Sequence, residues 1–134
     1  WLMAQMGYVG PIIGQHHQFH HYNPGKSKFG EERYFKICER IYLELDMRLK
    51  NSKYLAYDEY TIADMAIHPW YGNLVLGSMY DAQEFLAVHT YTHVQRWASN
   101  IQERIAVKRG QRVNKVWGSD EKQLRERHNA ADLD

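Results

Sequence analysis

The stretch from Tyr60 to Gly77 constrains this chain more than any other. Thr61 and Asp64 have the spacing of a capping box. The Thr61 hydroxyl can accept the Asp64 backbone N–H, and the Asp64 carboxylate can reach back to the Thr61 N–H. Two donors that a helix start leaves unpaired are thereby satisfied. Ile62, Ala63, Met65, Ala66, Ile67, Trp70, Leu74, Val75 and Leu76 come next, apolar nearly all the way round. Such a helix has no polar face, which predicts that it is buried and runs through the middle of the domain. Pro69 removes one backbone bond and predicts a kink. The cap is worth about 0.5–2 kcal/mol, and more if Asp64 is buried, because a partnerless buried carboxylate is expensive.

Around this helix the sequence reads as all-α. Leu2, Met3, Met6, Val9 and Ile13 stand at helical spacing, interrupted by Gly10, Pro11 and Gly14, so the first segment is expected as a kinked or broken helix. Asn23 to Lys28 has the composition of a loop. From Glu31 to about Asn51, Tyr34, Ile37, Cys38, Ile41, Tyr42, Leu45 and Leu49 form one apolar stripe. Glu32–Lys36 and Glu44–Arg48 have the acid-before-base spacing of helix ion pairs, worth about 0.2–0.5 kcal/mol each. Asp81 to Leu86 reads as a short helical turn, and Thr92 to about Arg104 as a helix presenting Val94, Trp97, Ala98 and Ile101. After Gly110 the sequence turns polar, with Val113, Val116, Trp117 and Leu124 as its only apolar anchors.

Length and composition narrow the class. At 134 residues and 44% hydrophobic content, one compact domain is expected. A net charge of +1 gives no global field toward nucleic acid or an anionic membrane. Asp120, Glu121 and Glu126 stand among the basic residues of the tail and argue against a nucleic-acid stripe. The single Cys38 allows no internal disulfide and fits a reducing cytosol. No apolar run reaches the length of about eighteen residues that a membrane helix needs, and no signal peptide stands out. The chain opens on Trp1 inside an apolar segment, with no Met, and reads as a fragment of a longer protein.

Several groups of residues could carry chemistry. His16/His20 and His17/His21 are i, i+4 pairs able to hold a metal if that segment is helical. No carboxylate or cysteine stands beside them, so a polar helix end lining a cleft is the plainer reading, and no metal is expected. Cys38 lies on a buried stripe, where a thiol behaves as a small hydrophobe with a raised pKa. His68 fits a hydrogen-bonded core residue better than a base. Lys108, Arg109, Arg112 and Lys115 could complement a helix C-terminus or meet an anion, with a solvated surface the commoner case. Arg33, at the start of the long amphipathic helix, could hold a carboxylate ligand bidentately or simply face solvent.

At these residues the chain resembles a family. Glu59 to Ala66 with Pro69-Trp70 is similar to the capping motif of the sixth helix in the C-terminal domain of cytosolic glutathione transferases. Trp1-Leu2, Gly10-Pro11, Gly14-Gln15 and Phe19 resemble the fourth helix of the bacterial Nu-class group, which has disulfide-bond reductase activity. Glu32-Arg33-Tyr34 resembles the start of the fifth helix. Val94 to Trp97 resembles the seventh helix, and Ala106 to Gly110 the segment just after it.

The resemblance covers about residues 1 to 128 and implies the helical half of a two-domain enzyme. Its preceding thioredoxin-like domain would hold glutathione, the cosubstrate, and the activating side chain. It further implies residues 1–110 as the helical domain and 111–134 as a charged extension that in some members folds over the active site. Arg33 would contact glutathione, and Gln15, Phe19 and Tyr22 would line the cleft for a disulfide or small electrophile. A homodimer in the cytoplasm, with no nucleic-acid or membrane partner, is implied as well. The chain alone, lacking any group to activate a thiol, is expected to be catalytically inert. Two rivals remain: a non-catalytic glutathione-transferase-like binding module, and an independent helical metal-binding protein built on the histidines. The chain departs from the family pattern at Ile105, where relatives usually have Pro, at Ala4, where many have an aromatic, and in its four histidines between Gln15 and Tyr22.

Overall fold

The computed structural model describes residues 1–77, 86–113, 115, 119, 123 and 129–133, and the described residues are helical with connecting loops. The chain divides into two compact units, Trp1–Ser99 and Asn100–Asp134. The expected turn at Asp81–Leu86 and the tail anchors Val116, Trp117 and Leu124 fall, apart from Leu86, outside the described residues.

Helix α1 comprises four consecutive segments, α-helical Leu2–Ala4, π-helical Gln5–Val9, α-helical Gly10–His17 and π-helical Gln18–Tyr22. It does not break at Gly10-Pro11. Pro11 offers no N–H to the ladder, and the Gly10 N–H bonds instead to the Gln5 carbonyl, five residues back. The register slip is absorbed as a π turn, which keeps the rod continuous. Gly10 gives the Gln5 side chain room on the same helix, since a Cβ there would lie 2.8 Å from Gln5 Nε2.

Helix α2 spans Lys28–Lys50, beginning three residues before the expected start at Glu31. The early start comes from Ser27, whose hydroxyl accepts the Gly30 N–H at 3.1 Å. Cys38, Ile41, Tyr42, Leu45 and Leu49 are buried along it, whereas Tyr34 and Ile37 are only half-buried. Neither sequence-predicted ion pair forms. Glu32 faces Lys28 at 3.8 Å, one turn the other way. Arg48 donates from Nε to the Leu55 carbonyl at 2.9 Å and lies 4.4 Å from the Tyr57 ring, interactions an exposed Glu44 does not match.

Helix α3 comprises α-helical Ile62–Ile67, π-helical His68–Gly72 and α-helical Asn73–Val75. Its capping box is closed: Asp64 Oδ2 accepts the Thr61 N–H at 3.0 Å, and Thr61 Oγ1 accepts the Ala63 N–H at 3.3 Å. Pro69 again sits at a π turn, and Asn73 Nδ2 donates to the Pro69 carbonyl at 3.2 Å. The expectation of burial on every side fails. Ala63, Asp64, Ile67, Tyr71, Leu74 and Val75 are buried, but Ile62 is 63% exposed, Met65 51% and Trp70 45%. One face packs on the unit's own core and the other leaves an apolar surface open, which an all-apolar composition does not distinguish.

Helix α4, Thr92–Gln102, comes after a short 3₁₀ turn at Val88–Thr90. Its start is capped from afar: Asp46 Oδ1 on α2 accepts the N–H groups of His93 at 2.8 Å and Val94 at 3.0 Å. In return, Arg96 Nη2 donates to the Leu49 and Ser52 carbonyls at 2.7 and 3.0 Å, satisfying acceptors at and just past the C-terminus of α2. Each helix thus finishes the other's end, and the crossing is fixed by backbone groups rather than by packing alone. The core of this first unit closes on Trp97, Tyr42 and Tyr71, all fully buried, with the Tyr42 ring 4.6 Å from Tyr71 and 5.3 Å from Tyr91.

In the second unit, helix α5 covers Ile105–Arg112. Arg104 is extended, at φ −67° and ψ 130°, so the turn that a proline at the first helical position would favour is made here with Ile105 in that position. Gln102 and Gln111 exchange amide hydrogen bonds at 2.7 and 2.9 Å, and Lys108 pairs with Glu103 at 2.6 Å. Arg109 donates to the Ala130 carbonyl at 3.0 Å.

Candidate functional site

The candidate residues lie on the C-terminal half of α1 and the N-terminal half of α2, joined by the loop at Asn23–Ser27. The π turn at Gln18–Tyr22 ends when Asn23 leaves helical geometry and its N–H bonds to the Gln18 carbonyl at 3.1 Å. Gly25, at φ +78°, donates its N–H to Glu31 Oε1 at 2.6 Å. That contact and the Ser27 cap tie the loop to the first turn of α2 from both sides.

Phe19 is the residue that joins the two helices. Its ring stacks on Tyr34, with centroids 5.5 Å apart and planes within 10°. It lies so close to Gly30 that a Cβ there would come within 2.8 Å of the ring. Gly30 therefore sets how near α1 approaches α2, a role not legible in the sequence because the expected helix begins only at Glu31. Gln15 and Tyr22 are exposed on α1. Arg33, beside Tyr34 in the chain, is exposed on α2 and makes no hydrogen bond or ion pair among the described residues. It lines an open groove of about 300 Å³ with Phe29, Glu32, Lys36 and Ile37. Gln15, Phe19 and Tyr22 lie outside that groove, so the four sequence candidates divide between an aromatic wall on α1 and a cationic groove on α2.

The four histidines are not equivalent. His16 turns inward, 1% exposed, with its ring 5.2 Å from His20 and 6.2 Å from Phe35. Burial, followed by the neighbouring charges of His20 and His17, lowers its pKa from 6.5 to about 4. His17 is lowered for the same first reason. His21 meets Tyr22 edge-on at 5.0 Å. Among the described residues no three histidine, cysteine or carboxylate side chains converge in the way a metal requires.

Cys38 is fully buried, and burial pushes its thiol up to about 12. A thiol held neutral in this way is no nucleophile. His68 is buried with Nε2 3.3 Å from the Ala98 carbonyl, and burial lowers its pKa. Gly72 makes room for it, since a Cβ there would lie 2.5 Å from the imidazole. Both residues serve the core. No residue of the site is an activated nucleophile or a poised base; what it offers is an aromatic wall and two uncommitted cations, the equipment for binding an anion.

Comparison with solved structures gives the class. The chain superposes on a glutathione transferase YghU from Streptococcus pneumoniae, crystallised with glutathione, at a TM-score of 0.77 and 39% identity, covering 82% of this chain and 42% of that one. A glutathione transferase from Burkholderia graminis, with two glutathione molecules bound per subunit, matches at a TM-score of 0.74 and 36% identity, covering 82% of this chain and 46% of that one. The chain belongs to the glutathione transferase family, as an all-helical domain of the C-terminal type. Within the family its sequence is similar to that of the disulfide-bond oxidoreductase YghU of Escherichia coli, 47% identical over 134 residues, all of this chain and 46% of the relative. It is similar also to the disulfide-bond oxidoreductase YfcG of the same organism, 34% identical over 122 residues, 91% of this chain and 53% of that one. The chain therefore spans about half the length of these relatives. No family model matches it. No described helix is long and apolar enough to cross a membrane.

Proposed function

We propose that this domain works as the helical half of a glutathione-dependent disulfide oxidoreductase. The observation that carries the reading is the match to a disulfide-bond oxidoreductase along every residue of the chain. The site supports it: an uncommitted guanidinium in an open groove, next to a stacked aromatic pair, suits a small anionic peptide better than an apolar ligand. Glutathione is the cosubstrate, and Arg33 pairs with one of its carboxylates. Gln15, Phe19 and Tyr22 form the wall against which a second substrate, a disulfide or small electrophile, rests. A thioredoxin-like domain supplies the group that favours the glutathione thiolate. The exposed Ile62, Met65 and Trp70 suit cover by further protein. Residues 1–110 act as the helical domain and 111–134 as its charged extension, in a cytoplasmic homodimer.

The chemistry balances with two glutathiones. The first thiolate attacks one sulfur of the substrate disulfide, forming a mixed disulfide and releasing one substrate thiolate. The second attacks the glutathione sulfur of that mixed disulfide, releasing the other substrate thiolate and glutathione disulfide. Two electrons pass from the two glutathione thiols to the substrate S–S bond, and the solvent returns two protons. The group that favours the glutathione thiolate belongs to the thioredoxin-like domain, so residues 1–134 alone are expected to give no glutathione-dependent rate.

The test is reduction of 2-hydroxyethyl disulfide by glutathione, using the full-length protein that contains this chain. Arg33→Ala is expected to lower kcat/KM for glutathione by roughly ten- to hundredfold, the range for losing a charge-assisted hydrogen bond. Activity indifferent to the substitution would keep the reaction and discard Arg33. A full-length protein that binds glutathione but reduces nothing would favour the non-catalytic module.

A further inference from the structure

The geometry points to Lys36 as a second cation of the Arg33 groove, one that selects disulfide substrates bearing carboxylates over neutral ones. This rests on the reading of the domain as part of a disulfide oxidoreductase and adds to it the class of substrate. An ion pair that the spacing offers does not form. Spacing offers Glu32 as the partner of Lys36, yet Glu32 faces Lys28 instead, at 3.8 Å. Lys36 is left exposed, with no hydrogen bond or ion pair among the described residues, and lines the same groove as Arg33.

Arg33 and Lys36 stand three residues apart on α2, so their side chains rise as neighbours on one face. Two like charges placed side by side repel each other, and neither forms an ion pair among the described residues. Phe29, 75% exposed, and the half-buried Ile37 flank them with apolar surface. With glutathione on Arg33, Lys36 is the cation left for a carboxylate of the second substrate, and the flanking apolar surface covers that substrate's linker. Arg33 and Lys36 differ in what they ask of a carboxylate. The planar guanidinium holds a carboxylate in a fixed bidentate geometry, whereas the ammonium acts as a movable point charge. Arg33 thus fixes the glutathione carboxylate while Lys36 accepts one from the disulfide over a range of positions, which tolerates acidic disulfides of differing length. Glu32, which faces Lys28, also lines the groove and disfavours a carboxylate on its own side.

The experiment compares kcat/KM of the full-length enzyme for 3,3′-dithiodipropionate, a dianion, and for neutral 2-hydroxyethyl disulfide. The ratio of the two is the readout, because a general loss of structure or of glutathione binding moves both substrates together. For an exposed ion pair the ratio should fall by about threefold in Lys36→Met, with Lys36→Arg retaining it, and by about tenfold in Lys36→Glu. The change should appear in KM for the dianion, and raising the salt from about 0.05 to 0.5 M should shrink the wild-type preference toward that of Lys36→Met. A ratio unaltered in both Lys36→Met and Lys36→Glu would overturn the proposal. Should the wild type reduce neither disulfide, the oxidoreductase reading fails on its own account. Calorimetric titration of wild type and Lys36→Glu with dithiodipropionate then decides the anion selectivity separately: weaker binding by the variant supports it, and equal binding ends it.

Discussion

Asp64 and Arg33 are both charged, both near the start of a helix, and treated in opposite ways. The Asp64 carboxylate is fully buried and wholly used: it accepts from the Leu55 N–H at 3.0 Å, the Thr61 N–H at 3.0 Å, the Thr61 hydroxyl at 3.3 Å and Trp97 Nε1 at 2.8 Å. One side chain thereby joins the loop before α3, the start of α3 and the middle of α4. Arg33 stands in the open, and no hydrogen bond or ion pair among the described residues uses it. A charge taken from water must be fully partnered or the fold cannot tolerate it. A charge left in water costs the fold nothing and stays available to a ligand. The contrast separates the charge that builds the scaffold from the charge that binds.

The largest effect that could break this contrast is at Asp64. Asp64→Ala strands the Leu55 N–H, the Thr61 N–H and the Trp97 indole at once, all three previously held by one carboxylate. A loss of about 3–5 kcal/mol is expected, as for a buried charged group whose partners are left behind, read from the urea midpoint. Trp97→Phe removes one of those donors and should cost about 1–3 kcal/mol. A neutral outcome for Asp64→Ala would mean that the knot is decorative and packing alone holds α4.

His16 lies between the two extremes, on the site-bearing half of α1 yet buried like Asp64. Its folded pKa is about 4 and its unfolded value 6.5, so between these the unfolded chain binds more protons. Stability contributed by the neutral ring is therefore whole above about pH 6.5. It falls by up to about 1.4 kcal/mol per pH unit on acidification and levels off below about pH 4. The total is on the order of 3 kcal/mol. Urea midpoints of wild type and His16→Gln, compared from pH 7.5 to 4.5, isolate this term from those of His17 and His68, which are shifted the same way. Parallel pH curves for the two proteins would mean that His16 is solvated in solution and belongs with Arg33 rather than with Asp64.

Legibility in the sequence divides in the same way, by distance. Thr61 and Asp64 are readable as a box because a capping box is complete within four residues. That Leu55 and Trp97 also converge on Asp64 is not, since Trp97 lies 33 residues away and nothing local to it names its partner. The reciprocal capping of α2 and α4 by Asp46 and Arg96 is invisible for the same reason. Period and proline placement locate α1 and α3, but a period of 3.6 has no way to say that Pro11 and Pro69 are accommodated by π turns instead of breaks. The stripe of α2 is readable; its start at Lys28 depends on Ser27, which the turn-like composition of Asn23–Lys28 disguises. Arg33 is legible only as a charge in a suggestive place. The freedom of Lys36 cannot be read at all, because spacing assigns Glu32 to it and only the structure shows Glu32 facing the other way.

The smallest expected effect sharpens the contrast most. Arg33→Ala removes a full charge from α2, but no hydrogen bond, ion pair or buried surface goes with it among the described residues. Ala is also the better helix former, by a few tenths of a kcal/mol at most. The urea midpoint should therefore move by less than about 0.5 kcal/mol, the range of substitutions that touch nothing, while the same variant loses glutathione-dependent activity. Relief of repulsion from Lys36 acts in the same stabilising direction, so any small shift should be upward and should shrink with added salt. A downward shift of more than about 1 kcal/mol, twice the range for such substitutions, would show that the fold does use Arg33. Its loss of activity could then no longer be assigned to a missing ligand contact, and the division between scaffold charge and binding charge would have to be redrawn around it.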